Sequence, residues 1–163
     1  MNGIRRDVRL RPVDPGTCAL RRGLERDLND GPAQRVAALS VELGLFAADL
    51  TDPALGARVA GLQAALAVVL AELREIGGAL YPPVLASDGF EPALRAVAER
   101  HGLAIAVRGE QVAHLDADTA DATCLAVADH LRSVPPETKV DVQVRAAAGG
   151  VRVDVTEERV RCG

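Results

Sequence analysis

From Leu55 to Leu80 the chain places apolar residues at alternating steps of four and three: Leu55, Val59, Leu62, Leu66, Val69, Leu73, Ile76 and Leu80. A seam of that period occupies one side of an α-helix, and burying it requires partner helices. Thr51-Asp52-Pro53 supplies the start, an N-cap candidate followed by proline at the first helical position, and Tyr81-Pro82-Pro83 supplies the stop. Upstream, Leu20, Leu24 and Leu28 form one stripe, and Val36, Leu39, Leu43, Phe46 and Leu50 continue at helical spacing. Gly31-Pro32 lies between them and should bend or loosen the helix where the stripe changes register. Two long helices with a short connection predict an antiparallel hairpin over residues 17–83. So much apolar surface predicts that it dimerises into a four-helix bundle. Residues 1–16, punctuated by Pro12, Pro15 and Gly16, read as a flexible N-terminal arm.

Residues 84–163 change character. A helix is expected from about Glu91 to His101, a strand over Leu103 to Val107, and a second helix from about Thr119 to Arg132 that stops at Pro135-Pro136. Lys139 to Arg145 and Val151 to Thr156 alternate strictly on either side of Ala146 to Gly150, the pattern of a β-hairpin. The order α-β-α-β-β predicts helices on one face of a small mixed sheet, so the whole chain is α+β.

Composition removes several functions. Hydrophobic residues make up 48% of the 163, enough for a packed core. The aromatic residues Phe46, Tyr81 and Phe90 are too few and scattered for a base-stacking platform, and a net charge of −4 gives no footprint for nucleic acid. Cys18, Cys124 and Cys162 lie far apart and outside any CxxC, which fits unpaired thiols in a reducing cytoplasm. The longest near-continuous apolar run, Ala64 to Ala71, is far too short to span a bilayer, so no membrane insertion is expected.

The stretch Leu24 to Leu39 reads L-E-R-D-L-N-D-G-P-A-Q-R-V-A-A-L, continued by S-V-E-L-G-L from Ser40. A second stretch carries Leu73-Arg74-Glu75, Leu80-Tyr81-Pro82-Pro83-Val84-Leu85, Gly89-Phe90 and Ala93-Leu94. Taken in order, they resemble the H-box helix and the following junction of sensor histidine kinases that serve NarL-type response regulators, over roughly residues 20 to 100. The resemblance implies a dimerisation and phosphotransfer hairpin followed by an ATP-binding domain, here a reduced α/β sandwich.

Departures from the family pattern carry as much weight. The phospho-accepting histidine falls on Asn29, whose amide nitrogen has its lone pair delocalised and does not attack a phosphate. Aligned with the family's N-box, Asp129 stands where a glutamate belongs and Ser133 where the metal-holding asparagine belongs. Glu157-Glu158-Arg159 stands where a glycine-rich loop would approach the nucleotide, which makes Glu158 a third degenerate position. The expectation is a pseudokinase without autophosphorylation and without a cofactor of its own, Mg²⁺ entering only with a partner regulator.

Asp30 and Gln34 survive as the family's D-x-x-x-Q phosphatase motif, one turn apart on the same face. The resemblance implies that Gln34 would orient a water for attack on a regulator's aspartyl phosphate, with Asp30 assisting. Their other reading is a solvated face beside a kink. Arg21, Arg22, Arg26 and Arg35 read as a solvated face as well, with Arg26 and Arg35 available to meet an acidic partner rim. His101 should close a helix, His130 is assigned to solvent, and His114 with Glu110 and Asp116 makes a poor metal site. The resulting expectation is a homodimeric, cytoplasmic, non-kinase signalling protein that binds a response regulator or a sensor kinase and alters its phosphorylation. A regulator phosphatase is the alternative. A phosphorelay intermediate is the third reading, and Asn29 is the wrong residue for it.

Overall fold

A computed structural model describes residues 4–109, 115–147 and 150–159. The chain divides into two compact units, Arg21–Tyr81 and the remainder formed by Met1–Leu20 with Pro82–Gly163.

The first unit is helical. Helix α1 (Pro15–Leu28) enters it and passes into a π-helical turn (Asn29–Ala33), which leads into α2 (Gln34–Ala48). Helix α3 (Pro53–Leu80) returns alongside. The Asp52 carboxylate accepts from the Ala54 N–H at 2.8 Å and Pro53 follows, so the cap and proline start α3 as their order requires. Arg21 donates to the Ala79 carbonyl at 3.1 Å, Leu28 lies beside Gly77, and Gly44 lies beside Gln63. Rising numbers on one side meet falling numbers on the other, so α3 runs antiparallel to α1 and α2.

The α3 seam divides into two halves. Val59 is buried and Leu66, Leu73 and Leu80 are half-buried toward α1 and α2, whereas Leu55, Leu62, Val69 and Ile76 are 44%, 56%, 41% and 53% exposed. Each half repeats every seven residues. Leu39 and Phe46 of α2, also seven apart, are exposed as well.

In the second unit, α4 (Pro83–Asp88), α5 (Phe90–Arg100) and α6 (Ala117–Ser133) accompany a four-stranded sheet. Its strands are β1 (Ile4–Leu10), β2 (Ala104–Arg108), β3 (Thr138–Ala147) and β4 (Gly150–Arg159), in the order β1-β4-β3-β2. The β2–β3 pair is parallel and the others antiparallel, which makes the sheet mixed. Helices α5 and α6 pack on one face, where Leu94, Leu125, Val127 and Leu131 meet Val140, Val142, Val153 and Val155 in the core. His101 and Gly102, at φ +65°, close α5 as the sequence predicts.

Four expectations need correction. Residues 4–10 are a strand and not part of a flexible arm: Val8 pairs beside Val155 and Leu10 beside Val153, while Arg5 and Arg9 take the opposite face. Residues 1–20 therefore belong with the sheet unit, and the helical unit begins at Arg21 instead of residue 17. A short helix, α4, follows the Pro82-Pro83 stop. Finally, α3 is long and apolar enough, by length and composition, to cross a membrane. Alanines and glycines at its non-seam positions keep the helix apolar although the uninterrupted run is short. The 148–149 part of the expected hairpin turn, His114, Glu110 and Cys162 lie outside the described residues.

Candidate functional site

The site is built on the π turn. Pro32 has no N–H, so the Leu28 carbonyl cannot receive the bond an α-helix would send it from four residues on. The backbone forms a π turn there instead, and at its end it tightens, the Gln34 N–H bonding the Gly31 carbonyl three residues back. Ala33 is buried and Leu28 rests beside Gly77, which fixes the inner side of the turn. Asn29, Asp30, Gln34, Arg26 and Arg35 are all exposed on the outer side. Gln34 Nε2 donates to Asp30 Oδ1 at 3.4 Å, so the structure brings the two D-x-x-x-Q side chains together. That bond is long, and it leaves the second amide hydrogen, the amide oxygen and the other carboxylate oxygen available to a water or a partner.

The arginines do not behave as one solvated face. Arg21 is held by the Ala79 carbonyl, and the Arg22 guanidinium stacks over the buried Tyr81 ring at 5.2 Å. Both fasten α1 to the C-terminal end of α3, which leaves Arg26 and Arg35 as the exposed pair beside Asn29. The signal for Arg22 was available: it and Tyr81 are the flanking residues of a hairpin whose ends must meet.

In the sheet unit the positions matched to the nucleotide site do not converge. Asp129 pairs with Arg132 at 2.7 Å, and Ser133 Oγ donates to the His130 carbonyl at 2.7 Å, so both are engaged along their own helix. Glu158 is on the wrong side of the sheet. Strand alternation turns it, with Thr156 and Asp154, away from the helices, where it lines a hollow of about 500 Å³ with Arg5, Lys139 and Asp141. The acid that faces α6 is Glu157. It is 9% exposed and meets His130 Nε2 at 2.8 Å, so His130 is a half-buried partner and not a solvent residue. Sequence reasoning missed this pair because a helix face and a strand face must both be known before they can be matched.

The segment Glu157-Glu158-Arg159 is strand throughout, paired to β1 through Arg6, Arg5 and Ile4 and to β3 through Val140, Lys139 and Thr138. Burial in an apolar core pushes the Cys124 thiol up to about 12. The Asp116 carboxyl is held below its ordinary range by the Thr119 N–H and hydroxyl it caps at the start of α6, and no metal site is built on it among the described residues.

No curated protein matches the chain. Residues 21–85 match the histidine kinase family model HisKA_3, a span that begins with the helical unit and takes in Arg26, Asn29, Asp30, Gln34 and Arg35. This stretch is similar to the dimerisation and phosphoacceptor domain of NarL-type histidine kinases, and the setting it indicates is two-component signalling.

Proposed function

We propose that the chain is a non-kinase member of a two-component pathway: a cytoplasmic homodimer that binds a response regulator, or a sensor kinase, through its helical unit and alters the partner's phosphorylation. One observation carries the reading. Within the segment that matches the histidine kinase model, Asn29 opens a π turn with Asp30 and Gln34 exposed beside it, and on our reading of the motif Asn29 takes the phosphoacceptor position. An amide there keeps the polar surface for a regulator and loses the nucleophile. The other half agrees. Glu157 is occupied by His130, and the residues that would form a nucleotide loop are ladder-bonded on both edges. A backbone committed to two strand partners has no free amides to offer a phosphate.

The 3.4 Å contact between Gln34 and Asp30 favours the phosphatase as a second reading, since it keeps an amide poised to donate to and accept from a water. The test is the decay of a phosphorylated NarL-type regulator with and without the protein, beside a direct binding titration. A phosphatase shortens the lifetime, and Gln34→Ala slows that decay by about 10- to 100-fold, about 1.4 to 2.7 kcal/mol of transition-state positioning, with little change in binding. Binding with an unchanged lifetime leaves the sequestering module standing. No binding to a regulator or kinase refutes the proposal.

A further inference from the structure

The open face of the sheet, turned away from α5 and α6, is unevenly charged. At one end a row across β1, β4, β3 and β2 reads Arg5, Glu158, Lys139 and Ala104, an acid between two bases. Toward the other end each strand brings an arginine to the same face: Arg9 on β1, Arg152 on β4, Arg145 on β3 and Arg108 on β2. The register sets Arg9, Asp154, Gln143 and Arg108 in one row, and in the next it places Arg152 directly opposite Arg145. Two of the four have a carboxylate beside them, Arg9 Nε at 3.4 Å from Asp154 Oδ1 and Arg108 Nε at 3.2 Å from Asp141 Oδ2. These two side chains stay 65% and 68% exposed, so water screens the pairs and the neutralisation is weak. Arg145 donates to the uncharged Gln143 amide, and Arg152 forms no ion pair among the described residues.

Like charges directly opposite each other destabilise a ladder, and the alternation asks only for some solvent-facing residue at position 152. The fold therefore has no use for the Arg145–Arg152 pair. We infer that the arginine end of this face is a docking site for an acidic segment of a partner protein. Arg9 and Arg108 stand three strand spacings apart, about 14 Å, with Arg145 and Arg152 about 7 Å beyond their row. Alternate side chains of an extended acidic segment repeat at that same distance of about 7 Å, and guanidinium forks bind carboxylates bidentately. The surroundings select among polyanions. Asp154 and Asp141 lie beside the arginines, where a phosphate backbone is repelled but a polypeptide presents a backbone N–H or a neutral side chain. No strand of the sheet carries an aromatic residue on which a base would stack. The apolar side chains on the face are alanines, Ala104, Ala106 and Ala147, too small to anchor it in a membrane. The site belongs to the sheet unit and goes beyond the reading of Asn29, Asp30 and Gln34.

Arg152→Glu tests this without endangering the fold, because it turns the repulsive pair with Arg145 into an attractive one. Its thermal midpoint should be no lower than that of the unmodified protein. A fluorescent polyglutamate peptide should bind the unmodified protein and bind less as salt is raised. Arg152→Glu should weaken that binding by about tenfold or more, since one guanidinium is lost and Arg145 is drawn to the new carboxylate. Lys139→Glu, about 20 Å away at the far end of the same face and beyond the screening length, should change the affinity by less than about threefold. Single-stranded DNA of equal charge, phosphatidylserine vesicles and inorganic phosphate are titrated beside the peptide. Absence of peptide binding overturns the inference, as does an Arg152→Glu chain that keeps both its midpoint and its full affinity. An equal loss in Lys139→Glu overturns it too, and so does DNA, a vesicle or phosphate that binds as tightly as the peptide.

Discussion

The exposed half of the α3 seam gives the sharpest quantitative test. Leu62 and Val69 are 56% and 41% exposed in the single chain, one heptad apart and flanked by Leu55 and Ile76 on the same line. Burying a whole leucine or valine side chain contributes about 1.5 to 3 kcal/mol, so covering the exposed half of each yields about 1 kcal/mol. In a symmetric pair each residue counts twice. Leu62→Glu with Val69→Glu therefore removes about 4 kcal/mol of apolar burial, about a thousandfold in dissociation constant, before any cost of desolvating four carboxylates. The half-buried Leu66 makes a poorer target, because it faces α1 and α2 within the same chain and a charge there would unfold the hairpin as well. Sedimentation over a wide concentration range should show the unmodified protein as a dimer and the double variant as a monomer, with circular dichroism reporting unchanged helix content. A monomer mass for the unmodified chain at every concentration would refute the argument, as would a double variant that still dimerises.

Two other outcomes are expected. Incubation with labelled ATP and Mg²⁺ should leave the chain unlabelled, and Asn29→His should not change this, because restoring the nucleophile does not reopen the ladder around Glu157 and Glu158; labelling of that variant would contradict the reading of the sheet unit. Cys124, raised by burial to about 12 from 9.0, should resist thiol reagents in the folded protein. Since the unfolded chain loses this proton first, Cys124 should lower stability as pH rises from about 9 toward 12, a slope that Cys124→Ala removes from chemical-denaturation curves.

What was legible in the chain depended on how local its cause is. A seam of eight residues at steps of four and three reports its helix without reference to anything else, and so does Asp52-Pro53 at its start. The bend at Gly31-Pro32 was legible as a position, since proline removes a donor wherever it stands. Its form was not, because how the helix closes after losing that donor depends on how Leu28 and Ala33 pack beside α3, which the local sequence does not state. Strand β1 is harder still. Arg5-Arg6-Asp7-Val8-Arg9-Leu10 offers only two apolar residues in alternation, and its arginines look like an arm until Glu157, Glu158 and Asp154 of β4 are placed opposite, about 150 residues away. The same non-locality hid Glu157. Read along the chain, Glu157 and Glu158 are interchangeable degenerate acids; alternation sends one toward His130 and the other to the open face. Joining the edge of β4 to residues 4–10 thus commits the backbone around those acids to strand, and the candidate site is left to the helical unit, where its side chains were readable in advance.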